Sequence, residues 1–229
     1  MSPQELRAVA PALHRYERDV LSDLWRRTDL SARDRSIVTL AALITRADAA
    51  TLPSCVRLAL DFGVTPKEVS EIVTHLAFYA GWGRSASASA LIATVFAERG
   101  IGADELPSAS PELLPLDQAA EDRRARAVED AVGPVSRRLA DDTGSVLFRD
   151  LWRRPDLAPR DRSMATVAAL IAGGQFAQIT FHLGKAMDNG LTPAEASEML
   201  SHLAYYVGWP NAMSAVPVFK SVFESRIKP

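Results

Sequence analysis

Five polar side chains recur at helical spacing late in the chain: Gln175, Gln178, His182, Lys185 and Asn189. At about 100° per residue they fall within an arc of roughly 80°, bordered by an apolar arc of Phe176, Ile179, Leu183, Ala186 and Met187. Two glutamines and a histidine, with little of the Glu and Lys usual on exposed helices, predict a partly buried polar wall. Histidine is the side chain whose ordinary pKa lies nearest neutrality, so His182 is the candidate general acid or base. Gln178 and Lys185 stand beside it as candidate substrate-binding groups.

A second set follows on the next helix and its exit: His202, Tyr206, Trp209 and Asn211. Tyr206 would donate to a developing oxyanion and Trp209 would supply an apolar wall. Upstream, Arg162 and Ser163 open an apolar stretch, and an arginine there could hold a substrate carboxylate in bidentate fashion. The plainer reading of Arg160–Ser163, and of His75 and His202, is capping, ion pairing and core hydrogen bonding.

The chain contains its own control. Leu24–Arg99 aligns without a gap on Leu151–Arg226, and 35 of the 76 positions are identical. In the first copy the polar stripe becomes Asp48, Thr51, Cys55, Leu58 and Phe62, whereas His75, Tyr79 and Trp82 match His202, Tyr206 and Trp209. A stripe needed for folding would be polar in both copies. The divergence predicts one site per chain, centred on His182.

The elements that must position these residues are helical. Thr65-Pro66-Lys67-Glu68 and Thr192-Pro193-Ala194-Glu195 each place a capping hydroxyl, a first-turn proline and a returning carboxylate before an apolar-periodic stretch. Helices are expected near 144–153, 159–172, 175–189, 193–207 and 211–226, and 127 positions earlier in the first copy. The fold class is all-α, with a first repeat over 1–99, a linker over 100–120 rich in proline and serine, and a second repeat over 121–229. The charged run Glu121–Arg126 reads as a solvated helix face.

Trp152–Leu157, Pro159–Ala172 and His182–Ala215 together resemble a carboxymuconolactone decarboxylase domain of the alkylhydroperoxidase-D-like superfamily. In the thiol-dependent branch this helix carries a Glu and a CxxC with a following His; here Ser163, Gln175, Gln178 and His182 occupy those places, and only the histidine matches. The resemblance to the cysteine-free branch implies a lyase without cofactor or metal, with His182 as the acid and Asn189-Gly190 ending its helix. Cys55 in place of histidine departs from that pattern.

Composition narrows the partners. A net charge of -2 gives no basic field for nucleic acid, and one cysteine cannot form an internal disulfide or a thiolate metal cage. No signal-like start and no apolar run of membrane-spanning length is present, so a cytoplasmic protein without membrane contact is expected, acting on a small molecule. Related duplicated domains imply a homotrimer of six repeats. The leading expectation is decarboxylation of a small lactone or enolisable carboxylic acid. The same pocket would also suit a cyclase or isomerase, and a His182 buried away from any cavity would instead suit a non-catalytic assembly or binding protein.

Overall fold

Helix starts are set by local chemistry. Thr65 and Thr192 each accept the backbone N–H three residues on, from Glu68 and Glu195, and each glutamate accepts the threonine N–H in return. Ser31 accepts the N–H of Asp34 in the same way. Glycines at positive φ (Gly63, Gly100, Gly174 and Gly190) close helices, and Ala47 takes the left-handed conformation that Gly174 supplies in the second repeat.

A computed structural model describes residues 3–227. The first repeat comprises α1 (Pro3–Val9), α2 (Pro11–Tyr16), α3 (Ser22–Leu24), α4 (Ala32–Arg46), α5 (Leu52–Asp61), α6 (Pro66–Tyr79) and α7 (Trp82–Arg99). The second comprises α8 (Gln118–Val132), α9 (Arg137–Asp142), α10 (Pro159–Gly173), α11 (Ile179–Asp188), α12 (Pro193–Val207) and α13 (Trp209–Ile227). The described residues form no strand, and none of their helices is long and apolar enough to cross a membrane.

Two expected helices of the second repeat differ, and so do their first-repeat counterparts, where α5 begins only at Leu52 and Glu17–Leu21 is a π turn. The one expected over 175–189 begins as a tight 3-10 turn, Phe176–Gln178, and becomes α-helical only at Ile179, because Gly174 ends α10 and turns the chain. The one expected over 144–153 is a wide π turn, Thr143–Phe148, followed by a 3-10 turn, Leu151–Arg153.

At the centre, α4 packs against α10, and every residue from Asp34 to Thr45 and from Asp161 to Ala172 is buried. Helices apolar all round must be sheathed on every side. The pair is related by a pseudo-twofold axis: Arg33 donates to Asp161 at 2.7 Å, and its counterpart Arg160 donates to Asp34 at 2.9 Å.

The flanking helices cross over that axis. Helix α12 of the second repeat packs on α4, and α6 of the first packs on α10. Arg35 pairs with Glu198 at 2.8 Å, and Arg162 with Glu71 at 2.9 Å. Each repeat therefore completes the core of the other. Between them, Arg154 donates to the carbonyls of Ser108 and Ala109, and Arg153 to that of Leu114, which holds the connecting segment on the second repeat.

Candidate active site

The crossed packing decides which side chains meet. His182, on the first turn of α11, stacks on the indole of Trp152 at 5.6 Å with an interplanar angle of 13°. The ring of Tyr79, from the first repeat, meets His182 edge-on at 5.2 Å, and Phe181 closes another side at 5.0 Å. Phe148 stacks in turn on Trp152, and Nζ of Lys185 lies 5.1 Å from the Trp152 ring. One indole thus organises two histidines, His182 and His75, a tyrosine, a lysine and a phenylalanine.

Polar groups in this cradle are only half satisfied. Trp152 Nε1 donates to the Tyr79 hydroxyl at 2.8 Å, so the phenol oxygen accepts and its own proton is free to be given to a ligand. Burial pushes the Tyr79 pKa up and keeps the phenol protonated. His182 is 7% exposed, and its Nδ1 is buried with no hydrogen-bond partner. Burial, aided by the charge of Lys185, lowers its pKa to about 4, so the free protein holds a neutral ring. That corrects the expectation of a near-neutral acid. Burial lowers the pKa of Lys185 too, against the pull of Asp188, Asp117 and Glu121.

Several residues expected at this site lie elsewhere. His202 and Tyr206 belong to the first repeat's cradle: His202 Nε2 meets Thr39 Oγ1 at 2.7 Å, and Trp25 Nε1 donates to the Tyr206 hydroxyl at 2.9 Å. Their places beside His182 are taken by His75 and Tyr79. Arg162 is fully buried and its two terminal nitrogens go to Glu71, the Arg154 carbonyl and His75 Nδ1, so only Nε lacks a partner and no fork is left for a substrate. Ser163 returns its hydroxyl to the Pro159 carbonyl at 2.7 Å and accepts from Asn189 at 3.4 Å.

Gln175 and Gln178 are exposed rather than part of a buried wall, because the 3-10 turn carries them outward. Trp209 is 54% exposed and lines a groove of about 530 Å³ between α12 and α13, away from His182. Asn211 Nδ2 reaches only the Val207 carbonyl at 3.4 Å. Of the expected binding residues, Lys185 is the one that stands with His182.

The two conserved-in-repeat histidines have a clear tautomer. Thr166 spends its proton on the Arg162 carbonyl, so its Oγ1 accepts from His75 Nε2 at 2.7 Å while His75 Nδ1 faces Arg162. His202 repeats the arrangement with Thr39 and Arg35. Burial and the adjacent guanidinium hold both pKa values down, that of His202 at about 3. They bond the repeats together.

The first repeat's cradle is closed. Phe62 stacks on Trp25 at 5.8 Å where the second repeat has Asn189, and Leu58 stands where it has Lys185. Burial pushes the Cys55 thiol up to about 11, which leaves little thiolate at neutral pH. Among the described residues no three His, Cys, Asp or Glu side chains converge as a metal-binding group.

Sequence reasoning missed Tyr79, Trp152, Phe148 and Phe181. A signal was available for the last two: at the same shift of 127 positions, Phe181 corresponds to Ser54 and, just before the aligned stretch, Phe148 to Leu21, so they diverge together with His182 and Lys185. It also missed α8. Glu121 is buried there and Arg124 half-buried, whereas Asp122, Arg123 and Arg126 are exposed, so the charged run is solvated on one face only.

Comparison with known proteins places this geometry among relatives. The profile of the Carboxymuconolactone decarboxylase family matches twice, over residues 11–94 and 138–221. Over 75 residues the chain is 33% identical to a 4-carboxymuconolactone decarboxylase of Acinetobacter baylyi, covering 33% of this chain and 56% of that protein. Over 77 residues it is 29% identical to nitrosuccinic acid decarboxylase npaB of Metarhizium robertsii, covering 34% and 54%. The chain thus spans about half the length of the curated relatives it matches. In fold it resembles a Burkholderia xenovorans protein described as a gamma-carboxymuconolactone decarboxylase subunit, with a TM-score of 0.60 and 19% identity over 99% of this chain and 92% of that one.

Proposed function

Since the chain belongs to the carboxymuconolactone decarboxylase family and carries its repeat twice, we propose that it is a cofactor-independent carboxy-lyase with one working site, at His182. The observation that carries this reading is the asymmetry of the two cradles. One holds a histidine with a buried, unpartnered Nδ1 under a tyrosine with a free proton; the other holds an unreactive thiol under Phe62.

The substrate class is a small carboxylic acid whose departing carboxylate is conjugated to an electron-accepting group. As the carbon–carbon bond breaks, carbon dioxide leaves and the electron pair passes to that acceptor. The Tyr79 hydroxyl donates to the charge developing there. An acid anion beside the desolvated imidazole raises its proton affinity, so His182 takes up a proton with the ligand and returns it to the carbanionic carbon. Trp152 fixes both partners, the ring of His182 by stacking and the phenol by its N–H.

Incubation with unsaturated lactone acids and nitro-substituted acids, with carbon dioxide followed directly, tests the reading. Release that is lost in His182→Asn supports it; turnover of such an acid without carbon dioxide would favour an isomerase or cyclase. Binding without any turnover would favour the non-catalytic reading, which draws on the fact that His182 lines neither the 530 Å³ groove nor the 310 Å³ cavity beside α8. The assembly is proposed to be a homotrimer, its contacts made by the exposed Trp82, Trp209 and Met213. A monomer mass in light scattering would rule that out.

A further inference from the structure

Of the 26 basic residues in the chain, four are lysines: Lys67, Lys185, Lys220 and Lys228. Arginines make the structural pairs, Arg35 with Glu198, Arg162 with Glu71 and Arg160 with Asp34. Lys67 and Lys220 are exposed and lie 3.4 and 3.8 Å from Asp156 and Glu224, and Lys228 is outside the described residues. Lys185 differs from them. It is half-buried, its Nζ is 5.1 Å from the centroid of the Trp152 ring, and among the described residues no carboxylate comes within 4 Å of it. The two kinds of cation are not interchangeable. A guanidinium stays charged in a protein, whereas an amine drawn out of water gives up its proton and becomes a nucleophile.

The groups around Lys185 are those that such an amine needs. His182 precedes it by three residues on α11 and stacks on the same indole, with Nδ1 unpartnered. Trp152 Nε1 donates to the Tyr79 hydroxyl at 2.8 Å and leaves the phenol proton free. Burial moves Lys185 toward the free amine, against the more distant charges of Asp188, Asp117 and Glu121. Trp152 and Tyr79 have counterparts in the first repeat's cradle, Trp25 and Tyr206, whereas His182 and Lys185 are both replaced there, by Cys55 and Leu58. The amine thus goes with the imidazole and not with the fold, and Leu58 shows that a cradle of this backbone packs without it.

We infer that Lys185 is a nucleophilic amine that binds the ketone carbonyl of small 3-oxo acids covalently, beside His182 and Tyr79. The inference rests on His182 as the centre of the site. The neutral amine adds to the ketone carbon; the carbinolamine then takes up a proton, with Tyr79 as the donor at its oxygen, and loses water to give an iminium. On the carboxy-lyase reading the bond to the carboxylate breaks next. Carbon dioxide leaves, and the electron pair passes into the carbon–nitrogen double bond, which is a better acceptor than the ketone because it already carries positive charge. His182 protonates the carbon of the resulting enamine, and water hydrolyses the iminium to free the ketone and the amine. The water lost in condensation is returned in hydrolysis, so the net change is 3-oxo acid anion and proton to ketone and carbon dioxide.

Acetylacetone, a diketone with no carboxylate to lose, tests the amine apart from decarboxylation, because it condenses with a neutral lysine to an enaminone that absorbs in the near ultraviolet. With the full-length protein at pH 7, Lys185 is expected to be the first lysine modified, located by peptide mass spectrometry with Lys67 and Lys220 as internal comparison. Lys185→Arg keeps the charge but not the nucleophile, and should reduce the band to background; Lys220→Arg should leave it unchanged. Should Lys185→Arg fail to fold by circular dichroism, Lys185→Leu, which copies the first repeat's residue, decides. Acetoacetate followed by borohydride should then leave a reduced adduct on Lys185 without its carboxyl group. Preferential labelling of Lys67 or Lys220, an unchanged band in the Lys185 variants, or no adduct on Lys185 would each overturn the covalent amine, even if lactone acids release carbon dioxide. An adduct on Lys185 that keeps its carboxyl group, with no carbon dioxide from any acid, would instead strike the decarboxylase reading and leave the amine standing.

Discussion

Lowering the pH from 7 to 5 should strongly destabilise this protein, and the reason is three buried histidines. His75, His182 and His202 all have folded-state pKa values depressed by burial, to about 4 for His182 and about 3 for His202, with His75 also well below its ordinary value. A depressed histidine stays neutral in the native state but takes up a proton in the unfolded chain once the pH falls below about 6.5. The unfolded state then binds more protons, so stability is full above that pH and is lost on going below it. His182 and His202 each contribute about 1.4 kcal/mol per pH unit in this window, about 4 kcal/mol together between pH 7 and 5, and His75 acts in the same direction. That is a large share of the whole stability of an ordinary domain, about 5–15 kcal/mol. Guanidinium unfolding at pH 7, 6 and 5, at fixed protein concentration, measures the loss, and its slope counts the protons. His202→Gln should reduce the slope by about one proton. Stability that is flat from pH 7 to 5 would refute the burial argument for all three rings.

His182→Asn should cut turnover by about 10²- to 10⁴-fold in steady-state assays, whereas Cys55→Ala should change it little; comparable losses would place a second working site at the first repeat. Glu71→Gln should cost about 3–5 kcal/mol in denaturant unfolding, because it strands the buried guanidinium of Arg162 and weakens that of Arg154. A loss below about 1 kcal/mol would mean that the pair is not desolvated as it stands here. The native Cys55 thiol, with its pKa near 11, should resist iodoacetamide at neutral pH until the protein is unfolded. Rapid labelling of folded protein, followed by mass spectrometry, would contradict that.

What the sequence determined by itself is local or repetitive. Thr65 and Thr192 cap their own helices, Gly63 and Gly190 close the preceding ones, and the duplication declares itself by identity, because each of these depends on neighbours a few residues away or on comparison of the chain with itself. His182 and Lys185 were visible as a pair for the same reason, one turn apart on one helix. Tertiary structure alone decided their company. Helical periodicity shows which face of α12 is buried but not against which helix, and in a duplicated chain α4 and α10 offer nearly the same surface. Crossed packing sends His202 and Tyr206 to Thr39 and Trp25, and brings Tyr79 to His182. The same crossing makes core residues of Arg35 and Arg162, since a buried guanidinium needs a carboxylate beside it and Glu198 and Glu71 arrive only from the other repeat.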